Sequence, residues 1–550
     1  MDPNNRAARG GVASHCHSLC PLTCGSEAIR GLLQERASSV SNRGRGALRG
    51  SSGPSEAAGE ALRRRWGPYG ENYGKPRHKM TLAKNTALTA LAGVILSGGR
   101  LFLNIYLARH LRIEAYGAFA FSQWAIEMLA LLFAAGVPGA ATRFFAEFST
   151  NAMATRAFER WFLKRALIII PLAAVAAAGL GMATLPGGGV RRLLLFAGWG
   201  GAVASSSLLT ARAQGLRRFA RITVASTFYI LCIFGCLVAL RSGHFKAQQA
   251  ILAVVLATWV NAATLMMPSR SHRSMQPGQT AIFNIEVIGK YAWNVWLAGL
   301  VSALVWSRAE LAIVKLALGA KALGVYSAGL SIAALATQGL MLLTGALGPH
   351  LVQLWGSGRR EECISLARDL TDLLAACAAA GVIFILAFAP HLVHMLYGPR
   401  YAGADSLLAV LAVGVLGLVA SPLKEIVQIE TNGAFSRNVN AVGAVILFAA
   451  GMIGALRFGL IAPAVVRTAV QCGFGVAAVT TAYWRISSKS LSRGFLLQVC
   501  SLVLFSGVAY NMFMFSAMSR AVGFLISMIF LLVILKKCKF ERTIMRIARA

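Results

Sequence analysis

The sequence predicts an all-α membrane protein of about fourteen transmembrane helices: two six-helix bundles in pseudo-twofold repeat, with the axis along the membrane normal, plus two C-terminal helices. Three observations predict it. Of 550 residues, 57% are hydrophobic and only 13% charged, where soluble domains average about 25% charged. Apolar runs of about 20 residues, the length that crosses a bilayer, succeed one another from residue 80 onward. A short Gly/aromatic pattern recurs at a constant offset of 207 residues (324 minus 117). This composition excludes a disordered chain, a small disulfide scaffold and an ordinary soluble enzyme.

Residues 1–79 differ from everything after them, with 13 Lys/Arg, 6 Asp/Glu, many Gly and Ser, and no apolar run. They read either as a disordered basic tail or as a mis-assigned start, with Met80 the initiator at the head of MTLAKNTALTALAGVIL. Cys16, Cys20 and Cys24, beside His15 and His17, match no metal-ligand spacing and read as incidental thiols. Cys232, Cys236, Cys377, Cys472 and Cys500 lie in apolar runs, where cysteine behaves as a small hydrophobe.

The N-terminal bundle, residues 80–283, holds six apolar segments at 86–108, 117–137, 162–185, 193–211, 222–240 and 249–267. The C-terminal bundle, residues 284–485, holds six more at 288–309, 324–347, 373–393, 404–423, 438–456 and 459–483. Residues 486–550 add segments at 495–515 and 520–535 and end in a basic cytoplasmic tail. The connections are short. None has room for a soluble catalytic domain, and no cofactor or metal site is expected.

The net charge of +34 would by itself point to nucleic acid. No aromatic-interleaved basic surface exists outside the apolar segments, so nucleic acid is set aside. The bases orient the chain instead. Arg212, Arg217, Arg218 and Arg221, and Lys536, Lys537, Lys539 and Arg542, fall on the side where the first span begins, which is the positive-inside pattern with both ends cytoplasmic. Membrane lipids are expected partners of those loops.

In the repeat, LRIEAYGAF is matched by LGAKALGVY: Leu111, Ala115, Gly117 and Phe119 against Leu318, Ala322, Gly324 and Tyr326. Each copy precedes an apolar span that ends at Gly/Pro (GVPG at 136–139, GALGP at 345–349) and then runs into a basic amphipathic stretch. An even number of spans separates the copies, so both have the same membrane orientation and a cavity is expected between two bundles.

The runs GRLFLNIYLARHLRIEAYGAFAF, GVPGAATRFFAEF, LALGAKALGVYSAGLSIAAL and HLVHMLYGPRYAGADSLLAVLAV resemble the polysaccharide (O-antigen and exopolysaccharide) flippases of the multidrug/oligosaccharidyl-lipid/polysaccharide (MOP) exporter superfamily. The resemblance covers about residues 82–485. It implies two bundles that rock between openings, moving an undecaprenyl-diphosphate-linked oligosaccharide across the bacterial inner (plasma) membrane for lipopolysaccharide or exopolysaccharide synthesis. Lipid-linked oligosaccharide, and polymerase or glycosyltransferase machinery, are the partners so implied. A lipid II flippase or an ion-coupled small-molecule exporter of the same superfamily is the alternative.

Ionisable groups inside spans are costly and mark function first. Gly93, Ser97, Arg100 and Asn104 recur at spacings of 4, 3 and 4 and share one face of the first helix. Arg100 and Asn104 are therefore candidates for a substrate diphosphate, which a guanidinium meets bidentately. On a seventh helix read as continuous, Arg308 and Lys315 share a stripe with Asn294, while Glu310 lies opposite. Arg308 and Lys315 join the candidate diphosphate site. Glu127, the acid squarely within the first bundle, and Glu310 are candidate coupling or gating acids, with Glu127 paired to Arg100. Arg143 follows GVPGAAT at the expected cytoplasmic mouth. Arg467 reads as structural or interfacial. No catalytic triad, paired-acid arrangement or phosphate loop appears, so no enzymatic activity is expected.

Overall fold

A computed structural model describes residues 77–148, 151–184, 189–239, 247–267, 284–345, 351, 354–355, 358–431 and 433–486. The chain divides into Met1–Gly74 and Lys75–Ala550, and every described residue lies in the second unit. The expected tail, the cysteines at 16, 20 and 24, and the segments 495–515 and 520–535 lie outside the described residues.

The first bundle comprises α1 (Arg77–His110), α2 (Ile113–Phe133), the short α3 (Val137–Glu147), α4 (Ala152–Thr184), α5 (Val190–Gly215), α6 (Phe219–Ala239) and α7 (Ala247–Met266). The second comprises α8 (Ile285–Trp306), α9 (Glu310–Gly345), α10 (Arg360–Tyr397), α11 (Ala404–Val413), α12 (Ser421–Glu430), α13 (Ala434–Phe458) and α14 (Ile461–Arg485). Eleven of these are long and apolar enough to cross a membrane. The bent pair Ala404–Leu418 and Ser421–Glu430, angled by 47°, makes a twelfth. The twelve fall on the twelve segments expected of the two bundles. The chain is a multi-pass membrane protein.

Local sequence explains where the helices turn. Pro138 and Pro422 occupy the first turns of α3 and α12, where the missing N–H is harmless. Gly319 breaks α9 with φ 81° and ψ −175°, a conformation that a side chain would oppose. It separates Glu310–Leu318 from the long stretch 320–345. Its counterpart at the 207-residue offset, Arg112, is the extended residue just before α2.

The bundles meet where these turns lie, at what is here called the far end. Gly117 of α2 packs so closely on α9 that a β-carbon there would stand 2.6 Å from both the Gly324 nitrogen and the Ala320 oxygen. A β-carbon on Gly324 would in turn strike the Ile113 carbonyl. Ile113 and Ala320, like Gly117 and Gly324, are repeat mates. The contact is therefore reciprocal, as a twofold axis through the α2–α9 crossing requires.

One expectation is corrected. The seventh span is not a continuous helix: α8 stops at Trp306, Ser307 takes φ −83° and ψ −138°, and helix resumes at Glu310. Arg308 lies in that break, whereas Glu310 and Lys315 lie on the segment after it. They therefore do not extend the helical stripe of Asn294. The Ser307 hydroxyl donates to the Ala303 carbonyl and accepts from Trp124 Nε1 at 3.2 Å. That offers the chain an alternative to the helix ladder.

Candidate functional site

Three cations approach α2 from three directions. From α1, Arg100 Nη2 lies 3.3 Å from Glu127 Oε1, with the two side chains 43% and 37% open. Tyr229 of α6 stands beside both. From the break after α8, Arg308 follows Ser307, whose hydroxyl accepts from Trp124 Nε1 of α2 at 3.2 Å. From α9, the Lys315 ammonium sits 3.9 Å from the centre of the Phe121 ring, a cation–π contact that keeps the charge without neutralising it. Arg308 and Lys315 have no carboxylate partner among the described residues.

The remaining expected residues divide. Asn104 is only 4% exposed, and its Oδ1 meets no partner. One turn beyond Arg100, α1 has turned into the core with Leu103 and Leu107, so Asn104 does not share the open position of Arg100. Glu310 is fully buried and pairs with Arg467 of α14, with Tyr326 adjacent. Sequence reasoning had missed this partnership, although Arg467 is a charge inside an apolar helix and needed a counter-charge. Arg143 pairs with Glu147 at 3.5 Å and stacks 4.5 Å from the centre of the Tyr291 ring, joining α3 to the start of α8. Among the described residues no group of three His, Cys, Asp or Glu could hold a metal.

At the far end the first and second bundles are also latched together. Tyr401 donates to the Ala108 carbonyl at 3.0 Å and Arg400 to the Arg109 carbonyl at 2.6 Å. Arg109 Nε donates to the Leu396 carbonyl at 2.9 Å, and its Nη2 reaches the Met395 carbonyl. The acceptors are the last carbonyls of α1 and α10, which a helix leaves unsatisfied. Each bundle thus caps the other's helix end. At the opposite end the seam is closed on one flank by Trp296 Nε1 of α8, which donates to the Leu132 carbonyl of α2 at 3.0 Å.

The family model described as "Polysaccharide biosynthesis protein" matches residues 82–355. Over those residues the chain is similar to the polysaccharide biosynthesis protein family. No curated protein matches it in sequence. Among solved structures, the chain is similar to the lipid II flippase MurJ in its inward closed conformation, at 10% identity, with 85% of this chain and 100% of that chain covered and a TM-score of 0.56. It is similar to a mutant of the MATE transporter VcmN of Vibrio cholerae at 14% identity, over 74% of this chain and 95% of that chain, with a TM-score of 0.54. A MOP superfamily transporter from Pyrococcus furiosus gives 15% identity over 77% and 96%, with a TM-score of 0.52. These likenesses show the fold, which is that of the MOP transporters.

Proposed function

We propose that this protein flips an undecaprenyl-diphosphate-linked oligosaccharide across the bacterial inner membrane by alternating access. Its N-terminal bundle is 80–283 and its C-terminal bundle 284–485, with both ends of the chain cytoplasmic. The far end is the periplasmic end. The observation that carries the reading is the trio Arg100, Arg308 and Lys315 around α2, of which two have no carboxylate partner among the described residues. Unneutralised cations inside a membrane are expensive unless an anion visits them. A diphosphate supplies that anion and fits guanidinium geometry. A site for cationic drugs would carry the opposite sign. Arg100 would exchange Glu127 for the diphosphate and release the acid, which gives Glu127 its gating role. Glu310 is the second gating acid, acting through Arg467. Arg143 stands at the cytoplasmic mouth.

The test is a reconstituted assay with a fluorescent undecaprenyl-diphosphate oligosaccharide, scored by protection from a membrane-impermeant quencher. The protein should accelerate exchange between leaflets, and Arg308→Ala and Lys315→Ala should each slow it at least tenfold. Equal exchange of a neutral polyprenol-linked sugar, or undiminished rates in both variants, would overturn the reading.

A further inference from the structure

The first half of α4 carries a feature that the transport reading does not use. The helix has 33 residues, Ala152–Thr184, about 50 Å at the ordinary rise, against a hydrocarbon layer of about 30 Å. The apolar stretch begins at Ala166. Some 20 Å of helix, about thirteen residues by the same rise, therefore stands in the headgroup layer. Within that projection Arg156, Arg160 and Lys164 recur four apart, all exposed, with exposed Arg165 alongside. The same ribbon continues into the membrane as exposed Ile168, Leu172 and Val175. Trp161 stacks at 5.3 Å on Phe158 and lies 5.8 Å from the Arg165 guanidinium, the placement of an interfacial aromatic.

Like charges four apart on a helix repel, and this stripe has no internal relief. Glu159 is the only acid in α4, and it is turned inward onto Arg212 of α5. None of Arg156, Arg160, Lys164 and Arg165 forms an ion pair among the described residues. A row of unpaired cations at headgroup depth, directly above an apolar track, has the charge and amphipathic order of one partner: an anionic diacyl phospholipid, its phosphate on the ridge and its chains along Ile168, Leu172 and Val175. We propose that the Arg156–Arg160–Lys164 ridge is a docking site for a resident anionic phospholipid. The ridge lies on the lipid-facing side of α4, apart from the cations around α2, so the proposal stands independently of the flippase reading.

Native mass spectrometry of the full chain, purified with phosphatidylglycerol and phosphatidylcholine at equal concentration, tests it. The unaltered protein should retain phosphatidylglycerol in at least fivefold excess. The triple variant Arg156→Gln, Arg160→Gln, Lys164→Gln should bring that ratio to near one. The variant Arg156→Lys, Arg160→Lys should keep the excess, and a charge-removing control at the far end, Arg112→Gln with Lys321→Gln, should leave it unchanged. Added inorganic phosphate at the lipid's concentration should displace nothing. An undiminished excess in the triple variant, equal retention of phosphatidylcholine, or full displacement by inorganic phosphate would each overturn the site. Should the triple variant fail to fold, the single variant Arg160→Gln, expected to lower the ratio at least twofold, takes its place with the same overturning outcomes.

Discussion

Gly117 and Gly324 lie in backbone contact across the seam between the bundles, each too close to its neighbour for a side chain. The contact is built by repeat mates, so α2 and α9 cross at the pseudo-twofold axis. Overpacking of such a contact typically costs about 1–3 kcal/mol. Gly117→Ala and Gly324→Ala should each lower thermal stability by an amount in that range and slow transport. Gly98→Ala, where a β-carbon would meet nothing within 4 Å, should do neither. Melting curves in detergent read the first effect, and a Gly117→Ala protein as stable as the Gly98→Ala control would remove the crossing from the account.

The repeat that matches Gly117 with Gly324 was legible in the sequence because glycine leaves a mark, whereas their contact across the seam was not. The span pattern was legible for a similar reason, since the bilayer sets one length for every helix. The break after Trp306 was not. WSRAE contains neither Gly nor Pro, and the interruption depends on Ser307 meeting Trp124 from 183 positions away. The far-end latch was equally silent, because its acceptors are backbone carbonyls, which every residue carries. Arg100 and Glu127 could be paired from sequence as the charges within neighbouring apolar spans. The Glu310–Arg467 pair, separated by 157 positions, could not be chosen among several candidates by spacing.

That second pair sets up a prediction that separates stability from transport. Glu310 and Arg467 are almost wholly inaccessible, and removing one member of such a pair typically costs about 3–5 kcal/mol because the other is stranded. Glu310→Leu and Arg467→Met should each express poorly and melt early. The double variant should recover most of the stability, as apolar replacements of buried pairs commonly do. If Glu310 gates transport, the recovered protein remains inactive. A double variant that is both stable and fully active would confine the pair to a structural role.

For Arg100 the expected loss is in function rather than in folding. Its ion pair with Glu127 is partly open, and partly open pairs contribute little to stability. Arg100→Ala should melt close to the unaltered protein and lose at least tenfold in transport. Arg100→Lys should fall between, keeping the charge without the bidentate fork. Glu127→Gln should raise affinity for a diphosphate-bearing substrate by removing the internal competitor, while slowing release. Binding measured by fluorescence anisotropy, beside the exchange rate, separates those two effects. Weaker binding in Glu127→Gln would rule out the exchange of partners at Arg100.

The latch predicts a shift in the balance between conformations. Tyr401 reaches Ala108 across the seam, and loss of one such hydrogen bond is worth about 1 kcal/mol, or about fivefold in a two-state population. Tyr401→Phe removes that bond alone and keeps the ring that packs 6.0 Å from Tyr116 and 5.6 Å from Tyr397. Spin labels at Arg112 and Ala402, exposed residues on opposite sides of the latch, report its opening by double electron–electron resonance. In the unaltered protein the short distance should dominate, and in Tyr401→Phe the long-distance fraction should rise several-fold. Combining Tyr401→Phe with Arg400→Ala and Arg109→Ala should make the long distance the major one, because all the reciprocal caps at the ends of α1 and α10 are then gone. An unchanged distance distribution in the triple variant would mean that the far end is held shut by the α2–α9 crossing alone, and that the latch only trims two helix ends.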